Sequence, residues 1–332
     1  MAYQTGMCNN PLDLLALFRT FITSHADLLD PAGNGSLPSQ AWAELKYGVV
    51  GLETELYLRG PGNNNDQAVY CNTTIVQDIT AGTDAWSWET RGATAFNTAQ
   101  TFDTQPGICS NPKVMPLQDT PSQYWFFANG RRYIIVDQVT ASVYTNTYAG
   151  LIRPFEPVSN VLEYPYPLYV GASMGRRGLR FSDVSAGYHR SFWNPGYDTD
   201  QRGSGSMFSA GNIWRGISNY DSSGGSDVTG LPTGAEVGLT MPYSHALGSE
   251  SYEPENMEPL LDGTYLLTEV EVAWGDANWL LYKERYGVLD GVAHLSGISQ
   301  AVTNQVTIGA DTYIVFQEAF RTGPGDYAAI KI

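Results

Sequence analysis

Apolar residues near the start of the chain recur at the three- and four-residue spacing of an amphipathic helix, over residues 14–22. Asn10 can cap the first turn and Pro11 suits the first helical position, so we expect this helix to begin there and to end near His25. The spacing of apolar residues also favours a second, short helix over residues 39–46.

After these helices the apolar period changes to two, as in half-buried β-strands. The alternation predicts strands over residues 53–58 and 68–76, joined by a turn in the Gly- and Asn-rich segment 60–66. The clearest hairpin lies at residues 124–136, where Asn129 and Gly130 separate two runs of aromatic and β-branched residues. An Asn-Gly pair is typical of tight turns that need positive φ angles.

The C-terminal part of the chain also has β character. Strands are predicted over residues 265–274, 279–286 and 292–295, with a closing hairpin at 306–316. One more short helix is predicted over residues 142–152, because this segment ends at a glycine shortly before Pro154.

Two long segments are rich in small polar residues but carry isolated aromatic residues, which predicts ordered loops rather than solvated linkers. They are residues 80–120, with Trp86 and Trp88, and residues 171–262, with Phe192, Trp193, Phe208, Trp214 and Tyr220. The three prolines in residues 157–167 force an extended path, and we place a domain boundary beside them.

These patterns predict a mainly β (α+β) protein, built from antiparallel β sandwich or barrel-like domains with an N-terminal helix and long ordered loops. Residues 1–165 would form the helix and a β domain, and residues 166–332 a loop-rich β domain with the C-terminal hairpin. Composition agrees, because 35 glycines and 18 prolines disfavour long helices. With 42% hydrophobic residues, the chain has ample material for a large core.

The formal charge of −16, from 34 acidic and 18 basic residues, makes nucleic acid an unfavourable partner. The N-terminal residues resemble no secretory signal, and the sequence contains no apolar run of membrane-spanning length. We therefore expect synthesis in a cytoplasm and no membrane partner. Cys8, Cys71 and Cys109 are expected to be reduced thiols, with one disulfide as the alternative.

Several segments suggest enzyme chemistry or cofactor binding. Residues 171–175 match the GxSxG nucleophile elbow with Ser173 as nucleophile, but no amphipathic pattern follows to supply the helix behind the serine. Acidic residues cluster in 198–200, 221–227 and 250–262, and these could hold a structural calcium ion or a glycosidase pair. The four histidines lack metal-ligand spacing, so we expect no metal site. Because none of these segments has the full pattern of a known site, we also expect no catalytic residue and no other cofactor.

Aromatic residues on the Gly-rich loops are the candidate binding residues. Trp193, Tyr197, Trp214 and Tyr220 could stack on sugar rings, whereas the alternative is that they anchor small cores or subunit interfaces. Trp86 and Trp88 are candidate interface residues in the first long loop. An enzyme remains the third alternative, either a serine hydrolase at Ser173 or a glycan hydrolase using the acidic loops.

Two well-patterned blocks, covering about half of the chain, resemble structural proteins of tailed-bacteriophage virions. The segments that carry this resemblance are residues 124–136, 143–155, 164–173, 289–294, 307–317 and 321–330. The resemblance implies a virion component of the tail or baseplate, with no active site to carry over. Its expected partners are other virion structural proteins and copies of itself in a homo-oligomer. One alternative is a virion module that binds a receptor or glycan through the aromatic loops 185–262. A second alternative is a component of the head-tail neck or collar.

Overall fold

The computed structural model confirms a mostly β protein with an N-terminal helix. It describes residues 1–62, 68–79, 84–155, 167–175, 190–195, 204–209, 213–217, 236–243, 265–276, 282–319, 323 and 325–332. The two helices are α1 (Pro11–Ser24) and α2 (Ala26–Leu29). The strands are β1 (Ala2–Cys8), β2 (Ala43–Val50), β3 (Glu53–Gly60), β4 (Val69–Gln77), β5 (Trp86–Ala93), β6 (Lys113–Leu117), β7 (Ser122–Ala128), β8 (Arg132–Thr140), β9 (Val143–Leu151), β10 (Arg153–Pro154), β11 (Leu168–Ala172), β12 (Gly205–Ser209), β13 (Ile213–Ile217), β14 (Glu236–Met241), β15 (Thr268–Asp276), β16 (Tyr282–His294), β17 (Gln305–Ile308), β18 (Asp311–Gln317) and β19 (Tyr327–Lys331).

The strands form two sheets. The small sheet has the order β2-β3-β4-β5-β6, and the large sheet has the order β1-β7-β8-β9-β11-β12-β13-β14-β15-β16-β19-β18-β17. Neighbouring strands are antiparallel except for β13 and β14, which are parallel. Because only Ile152 separates β9 from β10, the pairing of β10 with β16 closes part of the large sheet into a barrel-like circuit.

Strands β7, β8 and β9 form the middle layer of the molecule, and alternate side chains enter two different cores. Phe126 and Ile135 face the first core, which α1 and the small sheet cover. Trp125 and Ile134 face the second core, which β15, β16, β18 and β19 complete. A layer covered on both faces needs apolar residues at every position, and this explains the continuous apolar runs of the 124–136 hairpin.

Helix α1 begins and ends as the sequence predicts. The Asn10 side chain accepts a hydrogen bond from the Asp13 backbone N–H, and Pro11 occupies the first helical position. The buried face of the helix packs Phe18 edge-on against both Trp88 and Phe126, so the helix joins the small sheet to the large one.

Replacing the Asn10 cap tests how much this local signal contributes to the fold. Asn10→Ala leaves the first-turn N–H of α1 without its side-chain acceptor, and we expect a loss of about 1 kcal/mol in the free energy of unfolding. Denaturant unfolding measures this loss, and Asn34→Ala in an exposed loop is the control. An Asn10→Ala variant as stable as the wild type would show that the cap contributes nothing.

Two predicted helices are wrong. Residues 39–46 contribute instead to β2, and residues 142–152 contribute to β9. In both segments partners on the neighbouring strands satisfy the backbone, so tertiary pairing overrides a weak local pattern. The strand β1 was not predicted, and it pairs with β7 over its whole length.

The hairpin at residues 124–136 is confirmed, but its turn differs from the predicted one. Neither Asn129 nor Gly130 has a positive φ angle. The Asn129 side chain instead accepts hydrogen bonds from the backbone N–H groups of Arg131 and Arg132. A glycine is required at residue 130 because the backbone of Gly62 approaches it closely. A Cβ at residue 130 would lie 2.2 Å from the carbonyl oxygen of Gly62.

The segment 80–120 is more regular than the predicted loop, because it contains β5 and β6. Residues 94–112 between these strands form an ordered loop. Buried Phe102 lies under the guanidinium of Arg91 from β5, and the side chain of buried Gln105 donates to the loop carbonyls of Asn97 and Gln100. The boundary near residue 165 lies outside the described residues and stays a prediction. The pairing of β9 with β11 carries the large sheet across this point of the chain.

Candidate interaction surface

Exposed apolar side chains concentrate at one end of the described part of the molecule. Twelve large hydrophobic residues are exposed in the described ranges, and six of them come from segments that meet at this end. We call these six residues the apolar end: Met7, Leu12, Val49, Val50, Leu52 and Ile79. Monomeric proteins rarely expose large contiguous apolar patches, and such patches mark interaction sites.

The tip of the β2–β3 hairpin is the centre of the apolar end. Val50 pairs with Glu53 across a turn in which Gly51 has a φ of 65°. Val49 is 73% exposed and Leu52 79% exposed, so the tip directs aliphatic side chains away from both cores. A positive φ favours glycine at residue 51, which makes this a tight and defined turn.

Strand pairing brings Ile79 to the same end. Thr54 at the start of β3 lies opposite Ile75 near the end of β4, so the chain after β4 runs toward the hairpin tip. The end of β4, the start of β5 and the end of β6 lie at this same edge of the small sheet, because Gln77 pairs with Trp86 and Trp86 pairs with Leu117.

Helix α1 and strand β1 bring Leu12 and Met7 to this end. The helix runs antiparallel to β2, since Ile22 contacts Trp42 through the backbone and Arg19 pairs with Glu44. Leu12, near the start of the helix, therefore lies toward the end of the small sheet at which the hairpin tip is found. Strand β1 ends just before the helix begins, so Met7 lies at the same edge.

The charges of the apolar end are all acidic. The segments that form it are residues 7–13, 49–54, 75–79, 84–87 and 117–123. They carry five acidic residues and no lysine or arginine, a formal charge of −5: Asp13, Glu53, Asp78, Asp84 and Asp119. The closest basic side chains on the neighbouring strand and helix are engaged within the chain, Arg19 with Glu44 and Lys46 with Glu55.

A buried polar cluster lies beneath the surface of the apolar end, next to Met7. The Ser122 hydroxyl donates a 2.7 Å hydrogen bond to the carboxyl of Asp137, and the Cys8 sulfur lies 3.1 Å from the same hydroxyl. Burial raises the pKa of Asp137 to about 7, although the bond from Ser122 opposes the change. Burial, with the neighbouring Asp137, also raises the pKa of Cys8 to about 11, so this thiol stays protonated at neutral pH.

The predicted aromatic site residues do not form one site. Trp88 and Trp193 are fully buried in the first and second cores respectively. Trp86 is half-buried and packs against the first core. Trp214 is half-buried, and its indole N–H donates a 2.9 Å hydrogen bond to the carbonyl of Gly107. Tyr197 and Tyr220 lie outside the described residues.

Trp193 belongs to a short segment, residues 190–195, that fills the second core. Tyr169 donates to the carbonyl of Phe192, and Thr240 donates to the carbonyl of Trp193. The Asn146 side chain accepts from the Phe192 N–H, so three strands bind this segment through side chains. The contacts assign Trp193 to the interior of the protein, where a sugar ring has no access.

Ser173 does not have the surroundings of a nucleophile elbow. Its side chain is fully buried, and its hydroxyl accepts a 2.8 Å hydrogen bond from the Asn146 backbone N–H. The Ser173 N–H donates in turn to the carbonyl of Asn146, as in a continuing strand pair. An elbow would instead expose the hydroxyl on a sharp turn.

Two of the histidines are described, and they lie far apart in the fold. His25 ends α1 and accepts a hydrogen bond from the Asp27 N–H at the start of α2. His294 is buried beside Tyr243, and burial lowers the pKa of His294 to about 4 against an opposing bond with the Gly325 backbone. His189 and His245 lie outside the described residues.

The acidic segments 198–200, 221–227 and 250–262 also lie outside the described residues, so calcium binding and a glycosidase pair stay predictions. Within the described ranges, no group of three or more His, Cys, Asp or Glu side chains could hold a metal ion. The three cysteines are buried and free in the structure. No helix among the described residues is long and apolar enough to cross a membrane.

Sequence reasoning missed the apolar end. A local signal existed, because Val49-Val50-Gly51-Leu52 places three aliphatic residues around a turn glycine, where polar residues are usual. The contributions of Met7, Leu12 and Ile79 depend on which strand ends meet, and only the fold shows this. Comparison with known proteins gives no further guide, because no protein family and no curated protein matches the chain.

Proposed function

We propose that the protein is a structural and assembly component of a tailed-bacteriophage virion, in the tail or baseplate, and that it acts through subunit contacts at the apolar end. The resemblance of its best-patterned segments to virion proteins supports the virion assignment. The single structural observation that supports assembly is the collection of six exposed aliphatic and methionine side chains at one end. The protein would be made in the bacterial cytoplasm and reside in the particle.

The β2–β3 hairpin is the contact element of this proposal. The hairpin at residues 124–136 has no free edge to offer a neighbouring subunit, because β7 and β8 lie inside the large sheet between β1 and β9. Their backbone groups are already paired on both sides. The β2–β3 hairpin instead ends at an exposed aliphatic tip, and burial of these side chains by a partner would favour association through the hydrophobic effect.

Incorporation of a tip variant into particles tests the proposal. Leu52→Ser removes the most exposed aliphatic side chain of the tip and should lower incorporation by roughly ten-fold, because burial of a leucine is worth about 1.5–3 kcal/mol. Quantitative mass spectrometry of purified particles, produced with the variant as the only copy, measures the loss. Electron-microscopic averaging of wild-type particles then assigns the protein to the tail, baseplate or neck.

Leu37→Ser is the matched control. Leu37 is also an exposed leucine, but it lies in the loop after α2, at the opposite end of α1 from the apolar end. This control variant should fold and be incorporated as the wild type is. Particles that lack the wild-type protein altogether would overturn the virion proposal, and normal incorporation of Leu52→Ser would overturn the role of the tip.

A further inference from the structure

We propose that the apolar end binds a different protein, whose docking surface presents aliphatic residues flanked by lysines and arginines, and that it does not bind a second copy of this chain. This inference rests on the proposed function for its biological setting. Its physical basis is the combination of an aliphatic hairpin tip with a surrounding charge of one sign.

The argument against a second copy is electrostatic. In a symmetric dimer the same surface meets itself, so the five acidic residues of one apolar end would face the same five of the other. Like charges placed against each other across an interface suppress the association. None of the segments of the apolar end contains a lysine or an arginine. The formal charge of −16 on each whole chain adds to it.

The same charge distribution selects the chemistry of the partner. A partner surface with basic residues around an apolar patch would be attracted at long range and would then bury Val49 and Leu52. An anionic membrane and a nucleic acid carry the wrong sign of charge.

Three synthetic peptides of about 18 residues separate the contribution of apolar contact from the contribution of charge. The first is an amphipathic helix with leucine on one face and lysine on the other. The second replaces the leucines by serine, and the third replaces the lysines by glutamate. We expect the full chain to bind the Leu/Lys peptide at least roughly ten-fold more tightly than either of the others, with backbone hydrogen exchange slowed at residues 49–54.

Variants of the full chain then locate the binding. Leu52→Ser should weaken Leu/Lys binding by roughly ten-fold, and Glu53→Lys should weaken it further and reduce its dependence on salt. The control Leu37→Ser should leave the affinity within about two-fold of wild type. Circular dichroism of each variant verifies that the fold is retained.

Three outcomes would overturn the inference. The first is equal binding of the Leu/Lys and Leu/Glu peptides, and the second is slowed exchange only in residues outside the segments of the apolar end. The third is sedimentation of the purified chain as a dimer that Leu52→Ser dissociates, because this would make a second copy the occupant. In each case the particle experiment still decides the proposed function independently, since it asks only whether the protein is incorporated.

Discussion

Replacing Asp290 by asparagine should lower the free energy of unfolding by about 3 kcal/mol at neutral pH, because it leaves a buried cation without its counter-charge. Arg132 is fully buried, and its Nε lies 3.5 Å from the Asp290 carboxylate. The Asn129 side chain donates a 2.8 Å hydrogen bond to the same oxygen. This cluster joins the turn of the β7–β8 hairpin to β16, so its loss loosens the end opposite the apolar end.

The effect of Asp290→Asn should depend on pH in a defined direction. Burial by itself would raise the pKa of the Asp290 carboxyl, but the charge of Arg132 and the bond from Asn129 outweigh it, and the pKa is lowered. A lowered carboxyl pKa contributes stability above the unfolded value of about 3.9, and this contribution is lost as pH falls through the folded pKa. The difference between the variant and the wild type should therefore persist from neutral pH to about pH 4 and shrink below it.

Asp311→Asn is the matched control for this measurement. Asp311 pairs with Lys331 at 2.6 Å, but both side chains are more than a third exposed. Exposed pairs contribute about 0–1 kcal/mol, so the control should unfold almost as the wild type does. Urea unfolding of both variants at pH 7 makes the comparison, and equal losses would show that the buried position of Arg132 has no special cost.

Replacing Asp137 by asparagine should stabilise the protein progressively as pH rises. Its raised pKa, about 7, means that ionisation inside the fold is unfavourable relative to ionisation in the unfolded chain near 3.9. The wild type therefore loses stability as pH rises from about 4 to about 7, whereas the asparagine variant does not, because asparagine does not titrate. The free energy of unfolding of Asp137→Asn, relative to wild type, should thus grow by about 3 kcal/mol between pH 5 and pH 8.

The pH dependence separates Asp137 from other titrating groups. His294, whose pKa is lowered to about 4, destabilises the fold as pH falls from about 6.5, but it is present in both proteins and cancels in the difference. Ser122→Ala removes the bond that opposes the shift, so it should enlarge the pH-dependent loss in the wild type and have no such effect in the Asp137→Asn background. A difference that stays flat with pH would mean that Asp137 is ionised in the folded protein throughout this range.

Local signals in the sequence predicted the elements that depend on neighbouring residues. Helix α1 carries its own cap, first-position proline and apolar stripe, and it was predicted from Asn10 to His25. The closing hairpin of β17 and β18 was predicted because alternating residues surround a turn glycine, and Gly309 has the expected positive φ of 64°. Both depend on contacts within a few residues, which one sequence contains in full.

Elements whose character depends on distant partners were predicted poorly. Residues 142–152 look locally like a short helix, yet as β9 they lie between β8 and β11, and two sets of backbone hydrogen bonds outweigh the local preference. Residues 80–120 look like a loop, yet β5 finds partners on both sides. Such pairings join residues far apart in sequence, so the local pattern does not contain them.

The candidate surface shows the same division. Its charge was fixed by the sequence alone, because the absence of lysine and arginine from residues 49–54 is a matter of composition. Its existence as a surface was decided by the tertiary structure, which placed Met7, Leu12 and Ile79 at the same end as the β2–β3 tip and enclosed Trp193 in the second core. Exposure is set by which sheets and helices pack together. The sequence by itself therefore determined the β-rich class, the N-terminal helix and the acidity, whereas only the packing of two sheets around one helix decided which apolar residues remain available to a partner.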